Sequence, residues 1–250
     1  MIPKIIHYCW FGNKRKPALV KECIKSWKKH LPDYEIKCWT EKNLPVEHPF
    51  VKAALKSRYY AFAADFVRLF AIKQYGGIYL DTDVVVVKNF DDLLPYNFFL
   101  GEEVPGRVNL AVFGAIQNHP VINRFISFYD QIEFDPSNLP VISFSLTKVL
   151  ADVKDELFTQ KDMIFDPRYF YPFPYENRLE NYENYICEET YAVHLWNHSW
   201  RIATDYILEK DYKQALSKII DHLAHKKSDR FNIEYYKNLY RHFRKSLQNS

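Results

Sequence analysis

The sequence has few cysteines, no long apolar run and little net charge, and each of these features argues against a class of protein. None of the four cysteines lies in a Cys-x-x-Cys pair, so neither a zinc knuckle nor a redox motif is indicated. No apolar stretch reaches the length of a membrane span, and no signal peptide is recognisable. We therefore expect a cytoplasmic protein with reduced thiols.

The charge is small overall and unevenly distributed. The formal net charge of +3 is too weak to indicate nucleic-acid binding. From Glu209 to the end, however, ten Lys or Arg stand against five Asp or Glu. Two interpretations remain open for this basic segment: a peripheral contact with anionic lipid at the inner face of a membrane, or a solvated helical face. The basic residues considered for lipid contact are Lys210, Lys213, Lys218, Lys226, Lys227, Arg230, Arg241, Arg244 and Lys245.

The chain of 250 residues is 48% hydrophobic and 26% charged, which is typical of a globular protein able to bury a sizeable core. Strand-like and helical patterns alternate through the first third, and this alternation favours an α/β fold with a mainly parallel central sheet. The helical, basic pattern after residue 203 predicts an appendage. We therefore predict one domain over residues 1–203 and a helical C-terminal extension over residues 204–250.

Periodicity and turn residues place the individual elements. Helices are predicted from Pro17 to Leu31, from Pro49 to Gln74 with a break at residues 57–60, and from Pro120 to Gln131. Strands are predicted at residues 4–10, 34–39, 78–87, 98–101, 110–115 and 191–195, and a further helix break is predicted near Ser228.

An acidic patch interrupts the apolar run from Ile78 to Val87. Residues two apart on a strand share a face, so Asp81, Asp83 and Tyr79 are expected on one side. Two neighbouring carboxylates repel each other, and a hard divalent cation such as Mg²⁺ or Mn²⁺ relieves that repulsion. For a bare Asp-x-Asp tripeptide, which is common, a solvated transition from strand to loop is the more frequent explanation; the buried strand and the preceding helix stop favour the metal site here.

The preceding helix carries a second feature. Ala61, Ala64, Asp65 and Arg68 recur at helical spacing and form one small, charged face. Such a face allows a ligand to approach closely. Asp65 offers that ligand a carboxylate acceptor, and Arg68 offers it a forked guanidinium donor. The alternative is an exposed ion pair of little energetic value.

Four segments together resemble a known family. Three lie in the first ninety residues, namely Ile2 to Gly12 (IPKIIHYCWFG), Tyr60 to Leu69 (YAFAADFVRL) and Tyr75 to Asp83 (YGGIYLDTD), and the fourth is Val193 to Trp200 (VHLWNHSW). The chain resembles the glycosyltransferases of family 32, whose sugar-binding region contains a DXD motif. It is also similar, more distantly, to the glucosyltransferase domains of large clostridial toxins.

The resemblance implies a GT-A nucleotide-sugar-binding fold and a retaining transfer of a hexose to a saccharide acceptor. The donor expected from the resemblance is a nucleotide-sugar, with a UDP-sugar as the first choice, and the expected cofactor is Mn²⁺ or Mg²⁺. Asp83 is expected to ligate the metal, and Asp81 to contact the metal or the ribose. Asp65 and Arg68 are expected to hold the donor sugar and its phosphate side.

The resemblance also implies donor contacts for His7, Trp10, Ser199 and Trp200. Two further candidates for donor contact are Tyr79, on the strand face of the aspartates, and Asn109, which follows the central strand. The late metal ligand is His194 or, as an alternative, His198, because Asn197-His198 stands where many relatives carry a small Ala-Gly pair. No enzymic nucleophile stands out, so front-face attack is the mechanism implied.

Two other functions are compatible with paired aspartates. One is a metal-dependent phosphohydrolase or nucleotidyltransferase, although such sites usually gather a third carboxylate. The other is a non-catalytic sugar-binding protein. The sequence identifies neither the donor sugar nor the acceptor, which is expected to be a saccharide or lipid-linked saccharide of polysaccharide or glycolipid assembly.

Overall fold

The structure is a computed structural model that describes residues 1–45, 47–135, 140–178, 180–197, 203–208, 210–225 and 233–248. It divides into two compact units, Met1–Asn197 and His198–Ser250. The division falls after Asn197, six residues before the boundary expected from sequence.

The first unit is built on a six-stranded sheet with strand order β2-β1-β3-β6-β5-β7. Three of its five pairings are parallel, namely β1 with β2, β1 with β3, and β5 with β7, which confirms the predicted α/β class. Strand β6 runs antiparallel to β3 and to β5. The strands are β1 Ile5–Cys9, β2 Glu35–Trp39, β3 Gly77–Leu80, β4 Val84–Val86, β5 Phe98–Val104, β6 Arg107–Ala115, β7 Asp162–Phe165 and β8 Ala192–His194.

The described residues of this unit form five α-helices: α1 Ala18–His30, α2 Pro49–Lys56, α3 Tyr60–Tyr75, α4 Pro120–Asp130 and α5 Ile142–Leu157. The predicted break between α2 and α3 is confirmed. Helix α3 is buried along most of its length because apolar and small residues cover nearly its whole circumference. It contributes Val67 and Leu69 to the same core as Phe113 of β6.

Helix α3 ends where the sequence places two glycines. Gly76 and Gly77 adopt φ angles of 63° and 108°, a region that side chains disfavour. A Cβ atom on Gly77 would lie 2.6 Å from the carbonyl oxygen of Ile5, so the close approach of β3 to β1 also requires glycine there. The pair therefore turns the chain from α3 directly into the third strand of the sheet.

The long strand predicted over residues 78–87 is two strands. Strand β3 ends at Leu80, and β4 begins at Val84 after a turn closed by a hydrogen bond from the Val84 amide to the Asp81 carbonyl, at 3.1 Å. Strand β4 leaves the main sheet and pairs antiparallel with β8, with Val84 opposite His194. The prediction of one continuous strand is wrong because both halves are equally apolar, and only the tertiary pairing reveals the turn.

The second unit contains three described helices, α6 Ala203–Leu208, α7 Tyr212–His225 and α8 Ile233–Gln248. Buried Tyr206, Ile207 and Ala215 form its small apolar cluster, against which Leu239 packs. The helix break predicted near Ser228 lies outside the described residues. Across the described parts of the chain, no helix is both long and apolar enough to span a membrane.

Candidate metal and nucleotide-sugar site

The turn between β3 and β4 brings the two aspartates of the Asp-x-Asp motif together at the edge of the sheet. The Asp81 amide donates to the Ala111 carbonyl at 2.8 Å, which extends the pairing of β3 with β6 by one residue. Asp83 lies at the far side of the turn, just before β4. The two carboxylates meet through this turn and not through the strand parity predicted from sequence, so the expected proximity is right and its predicted cause is wrong.

Asp83 faces the end of β8. Its Oδ2 lies 3.4 Å from Nε2 of His194 and accepts a hydrogen bond from the Asn197 amide at 2.8 Å. The Asp83 carbonyl accepts from the Leu195 amide at 2.9 Å, which fixes the turn to the segment after β8. Ligand atoms of Asp81, Asp83 and His194 all lie within 4.8 Å of one another.

Arg68 is the cation at the centre of this site. Its side chain is only 6% exposed and pairs with Oδ1 of Asp65 at 2.8 Å. Its two terminal nitrogens each lie 3.3 Å from a different oxygen of Asp81. The guanidinium also donates to the Leu110 carbonyl at 2.8 Å and lies 4.8 Å from the ring centre of Tyr79. The ion pair of Asp65 with Arg68 is therefore a buried part of the site and not the exposed pair considered as an alternative.

An irregularity in β6 supplies the backbone acceptors for these contacts. Leu100 of β5 pairs with Phe113, but the next residue, Gly101, pairs with Asn109, so residues 110–112 bulge out of the β5 ladder. The carbonyl of Leu110 is then available to Arg68. No sequence pattern predicts this bulge, because the run Leu110 to Ala115 is typical of a regular buried strand.

Burial and neighbouring charges shift the acidic groups in opposite directions. Burial raises the pKa of Asp65 to about 7 despite the lowering effect of Arg68, and burial also raises the pKa of Asp81. Burial alone would raise the pKa of Asp83, but His194 and the Asn197 amide outweigh it and lower the pKa to about 2. Burial lowers the pKa of His194, but the neighbouring Asp83 raises it by more, so that the net effect is an increase. Asp83 is thus the carboxylate best held in its anionic form.

Two further predicted residues, Tyr79 and Asn109, lie beside this site, and a third, Trp10, lies at the same edge of the sheet. The Tyr79 hydroxyl donates to Oδ1 of Asp81 at 3.1 Å, so this buried tyrosine orients the carboxylate. Asn109, at the start of the bulge, donates to Glu103 at 2.5 Å and accepts from the Ala111 amide at 2.7 Å. Trp10 follows β1 at the same carboxyl edge of the parallel strands as Asp81, and its indole nitrogen donates to the Lys14 carbonyl at 2.7 Å.

His7 is a core residue in the structure, which contradicts the donor contact predicted for it. Its side chain is fully buried, its Nε2 lies 2.9 Å from the Gly76 carbonyl, and its Nδ1 accepts from the Trp39 indole at 3.2 Å. Gly76 precedes β3, whereas Asp81 follows β3, so the imidazole lies at the opposite end of that strand. Both nitrogens are occupied, and no atom is exposed to a ligand.

Sequence reasoning missed one residue that contacts several parts of the site. The hydroxyl of buried Tyr171 accepts from the Val112 amide at 3.1 Å and donates to the Asn109 carbonyl at 3.1 Å. Its ring meets that of His194 edge-on at 5.9 Å. Its position in the aromatic, proline-rich loop gave no signal beyond ordinary core packing. The predicted donor residues Ser199 and Trp200, and the alternative ligand His198, lie outside the described residues.

The residues present fit a divalent cation. Two carboxylates and an imidazole are a donor set that Mn²⁺ and Mg²⁺ accept, and their ligand atoms already converge. In addition, Nδ1 of buried His194 has no hydrogen-bond partner among the described residues. A buried nitrogen without a partner is costly in a purely structural site, and ring reorientation towards a ligand would relieve that cost.

Known families of proteins match two regions of the chain. Residues 17–100 match the family described as the glycosyltransferase sugar-binding region containing the DXD motif, and residues 120–224 match the alpha 1,4-glycosyltransferase conserved region. An uncharacterized glycosyltransferase of Acanthamoeba polyphaga mimivirus is 30% identical over 220 residues, which cover 80% of this chain and 84% of the viral protein. The chain belongs to the DXD-containing glycosyltransferases.

Fungal relatives of this glycosyltransferase are longer. Inositol phosphoceramide mannosyltransferase 3 of Schizosaccharomyces pombe is 32% identical over 142 residues, covering 54% of this chain and only 39% of the fungal protein. Among solved structures, the PaToxG glycosyltransferase superimposes with a TM-score of 0.50 at 21% identity, covering 61% of this chain and 70% of that one. This likeness agrees with the GT-A fold.

Proposed function

We propose that the chain is a metal-dependent hexosyltransferase that uses a nucleotide-sugar donor, with a UDP-sugar as the first choice. The observation that carries the proposal is the convergence of Asp81, Asp83 and His194 within 4.8 Å, next to the buried guanidinium of Arg68. A divalent cation held by these three residues would act as a Lewis acid on the leaving diphosphate. Mn²⁺ and Mg²⁺ both suit the donor set.

The protein groups have separate roles in this proposal. Arg68 fixes Asp81 through two nitrogens and adds positive charge close to the leaving diphosphate. Asp65, whose raised pKa reflects its burial, accepts hydrogen bonds from the donor sugar. Tyr79 keeps one Asp81 oxygen oriented through its hydroxyl, and Trp10 flanks the nucleotide base at the same edge of the sheet.

Retention of configuration is part of the proposal. Asp65 and Asp81 are both engaged by Arg68, and Asp83 by His194, so these carboxylates serve binding and not nucleophilic attack. In front-face attack, the acceptor hydroxyl attacks from the side of the leaving group, and the leaving phosphate takes the proton of that hydroxyl. An α-linked sugar nucleotide would give an α-linked product by this route, in agreement with the alpha 1,4-glycosyltransferase region that residues 120–224 match.

The acceptor proposed is a saccharide or lipid-linked saccharide. The support comes from the fungal relative, whose name describes transfer of mannose to inositol phosphoceramide, a lipid. The phosphohydrolase, nucleotidyltransferase and sugar-binding alternatives are not favoured, because both family models that match the chain describe glycosyltransferases.

Nucleotide release with a panel of UDP- and GDP-sugars, with Mn²⁺ and in the presence or absence of a saccharide acceptor, tests the proposal. We expect metal-dependent release that yields a glycosylated product when an acceptor is present. Asp81→Asn and Asp83→Asn should abolish turnover, whereas Asp152→Asn, an exposed change on α5, should retain it. Full turnover in the Asp83→Asn variant, or cleavage of the diphosphate without sugar transfer, would refute the assignment.

A further inference from the structure

Helices α7 and α8 of the second unit expose two apolar stripes. On α7, Tyr212, Leu216 and Ile220 recur every four residues and are exposed to 40%, 58% and 60%. On α8, the residues at successive turns are likewise exposed, with values of 41–70%. The α8 stripe consists of Ile233, Tyr236, Tyr240, Phe243 and Leu247.

The two stripes are continuous with each other. The rings of Tyr212 and Phe243 pack edge-on with centroids 5.6 Å apart, and the Tyr212 hydroxyl lies 3.3 Å from that of Ser246. The stripes therefore meet at Tyr212 and Phe243, and we call the two stripes together the apolar face. An exposed apolar surface of this extent is unusual for a protein in water and marks a contact with another surface.

Basic residues border the α8 part of the apolar face. At 100° per residue, the five stripe residues fall within an arc of about 80°. Lys237 and Arg244 lie directly beside this arc, and Arg241 and Lys245 follow further round the helix. All four are exposed, and the only acidic residue in the α8 sequence is Glu234.

This combination favours a lipid bilayer over a protein partner. An interfacial helix has a large apolar face, Lys or Arg on the polar side and low overall hydrophobicity, and α8 has all three. Its two exposed tyrosines suit the boundary between headgroups and acyl chains, where aromatic rings with a polar tip accumulate. The stems of Lys237 and Arg244 can lie along the apolar boundary while their charges reach the anionic headgroups.

We propose that the apolar face of α7 and α8 binds peripherally to the surface of an anionic lipid bilayer. The apolar side chains enter the headgroup boundary to a depth of about 5–10 Å, and the neighbouring Lys and Arg bind anionic headgroups. This binding is independent of the proposed transferase chemistry, because none of its residues belongs to the metal and donor site. It would keep the chain at a membrane where lipid-linked acceptors are found.

Flotation of the full-length chain with vesicles tests this binding directly. Phosphatidylcholine vesicles with and without phosphatidylglycerol provide the anionic and neutral surfaces. We expect the chain to float with the anionic vesicles, to float weakly with neutral ones, and to be released by high salt, which screens the charges. Absence of flotation with anionic vesicles would overturn the proposal.

Two variants separate the apolar and electrostatic contributions. The triple change Ile233→Ser, Tyr240→Ser and Leu247→Ser should remove most binding, with Phe144→Ser, 61% exposed in the first unit, as its control. The double change Lys237→Gln and Arg244→Gln should weaken binding by roughly 30-fold, since each surface charge contributes a factor of about five. Its charge-matched control is Lys28→Gln with Lys29→Gln on exposed positions of α1.

Two further measurements keep the result interpretable. Circular dichroism should show that each variant is folded, and nucleotide release from a soluble donor should be unchanged in all of them. Light scattering of the wild type should show a monomer. If it shows a dimer that the triple change dissociates, or if the triple change leaves flotation intact, the apolar face is covered by something other than lipid and the proposal is wrong.

Discussion

Arg68 contacts both carboxylate oxygens of Asp81, each at 3.3 Å, from a different terminal nitrogen. The same guanidinium holds Asp65 on its own helix and the Leu110 carbonyl on the bulge of β6. One buried side chain thus joins α3, the β3–β4 turn and β6. A planar fork with five donors makes these contacts together, whereas the single ammonium of lysine is a point charge.

Replacement of Arg68 is therefore expected to affect folding as well as transfer. Arg68→Met leaves buried Asp65 and half-buried Asp81 without their cation and should lower the free energy of unfolding by about 3–5 kcal/mol. Arg68→Lys should restore part of this stability and little of the activity, because the fork is lost. Urea denaturation measures the change, and Arg15→Met on the exposed loop before α1 should stay within about 0.5 kcal/mol of the wild type. Equal stability of Arg68→Met and Arg15→Met would contradict the buried-fork interpretation.

Metal affinity is predicted to depend on residues from both sides of the β3–β4 turn. Asp83→Asn and His194→Gln should each weaken Mn²⁺ binding by more than tenfold, since even changes to groups that only orient ligands cost about 10–100-fold. Isothermal titration calorimetry without donor or acceptor measures this affinity independently of turnover. Asp152→Asn should bind Mn²⁺ as the wild type does. If His194→Gln also does so, the imidazole is not a ligand, and His198 becomes the candidate to test.

The sequence predicts the fold class and the residue types of the site better than it predicts the contacts between distant segments. The α/β class, helix α3 and the Asp-x-Asp patch follow from periodicity, the Gly76-Gly77 stop and residue chemistry, which are local properties. Helix α5 and the short strand β7 were not predicted. The turn inside the run from Ile78 to Val87 was also missed, because β4 is defined by its pairing with β8, more than 100 residues away in the chain.

The same distinction explains the residues of the site. Asp65 and Arg68 share a helical face and were therefore predictable together, whereas their contact with the Leu110 carbonyl depends on a bulge without a sequence signal. His7 lies in the segment from Ile2 to Gly12 that carries part of the family resemblance, yet it packs in the core. A sequence motif contains residues of both kinds: those that hold strands and helices in place and those that contact a ligand. The motif alone does not distinguish the two.

The buried imidazole of His7 predicts a dependence of stability on pH. Burial lowers the pKa of His7 from 6.5 to about 4, with a smaller raising effect from the Gly76 carbonyl. The unfolded chain therefore takes up this proton before the folded one does. The stability from a neutral His7 is fully present above pH 6.5 and is lost as the pH falls towards 4, by at most about 3 kcal/mol.

His7→Gln tests this linkage, since glutamine does not titrate. We expect the variant to be less stable than the wild type at pH 7, and the gap between the two to narrow as the pH falls from 6.5 to 4. Urea denaturation at a series of pH values measures the gap, and subtraction of the two profiles removes the titration of carboxylates common to both. A gap that stays constant with pH would show that His7 titrates normally in the folded state.

Tyr171 is predicted to position the site without contacting the ligand. Its hydroxyl anchors the ring to the Val112 amide and the Asn109 carbonyl, and the ring edge packs against His194. Tyr171→Phe leaves the buried Val112 amide without its acceptor and should cost about 1–3 kcal/mol of stability. Because the ring then loses its anchor, Mn²⁺ affinity should fall several-fold as well.

Tyr169→Phe, which alters a neighbouring tyrosine stacked on Tyr191, is the matched control. A loss of stability with unchanged Mn²⁺ affinity would reduce Tyr171 to a packing residue.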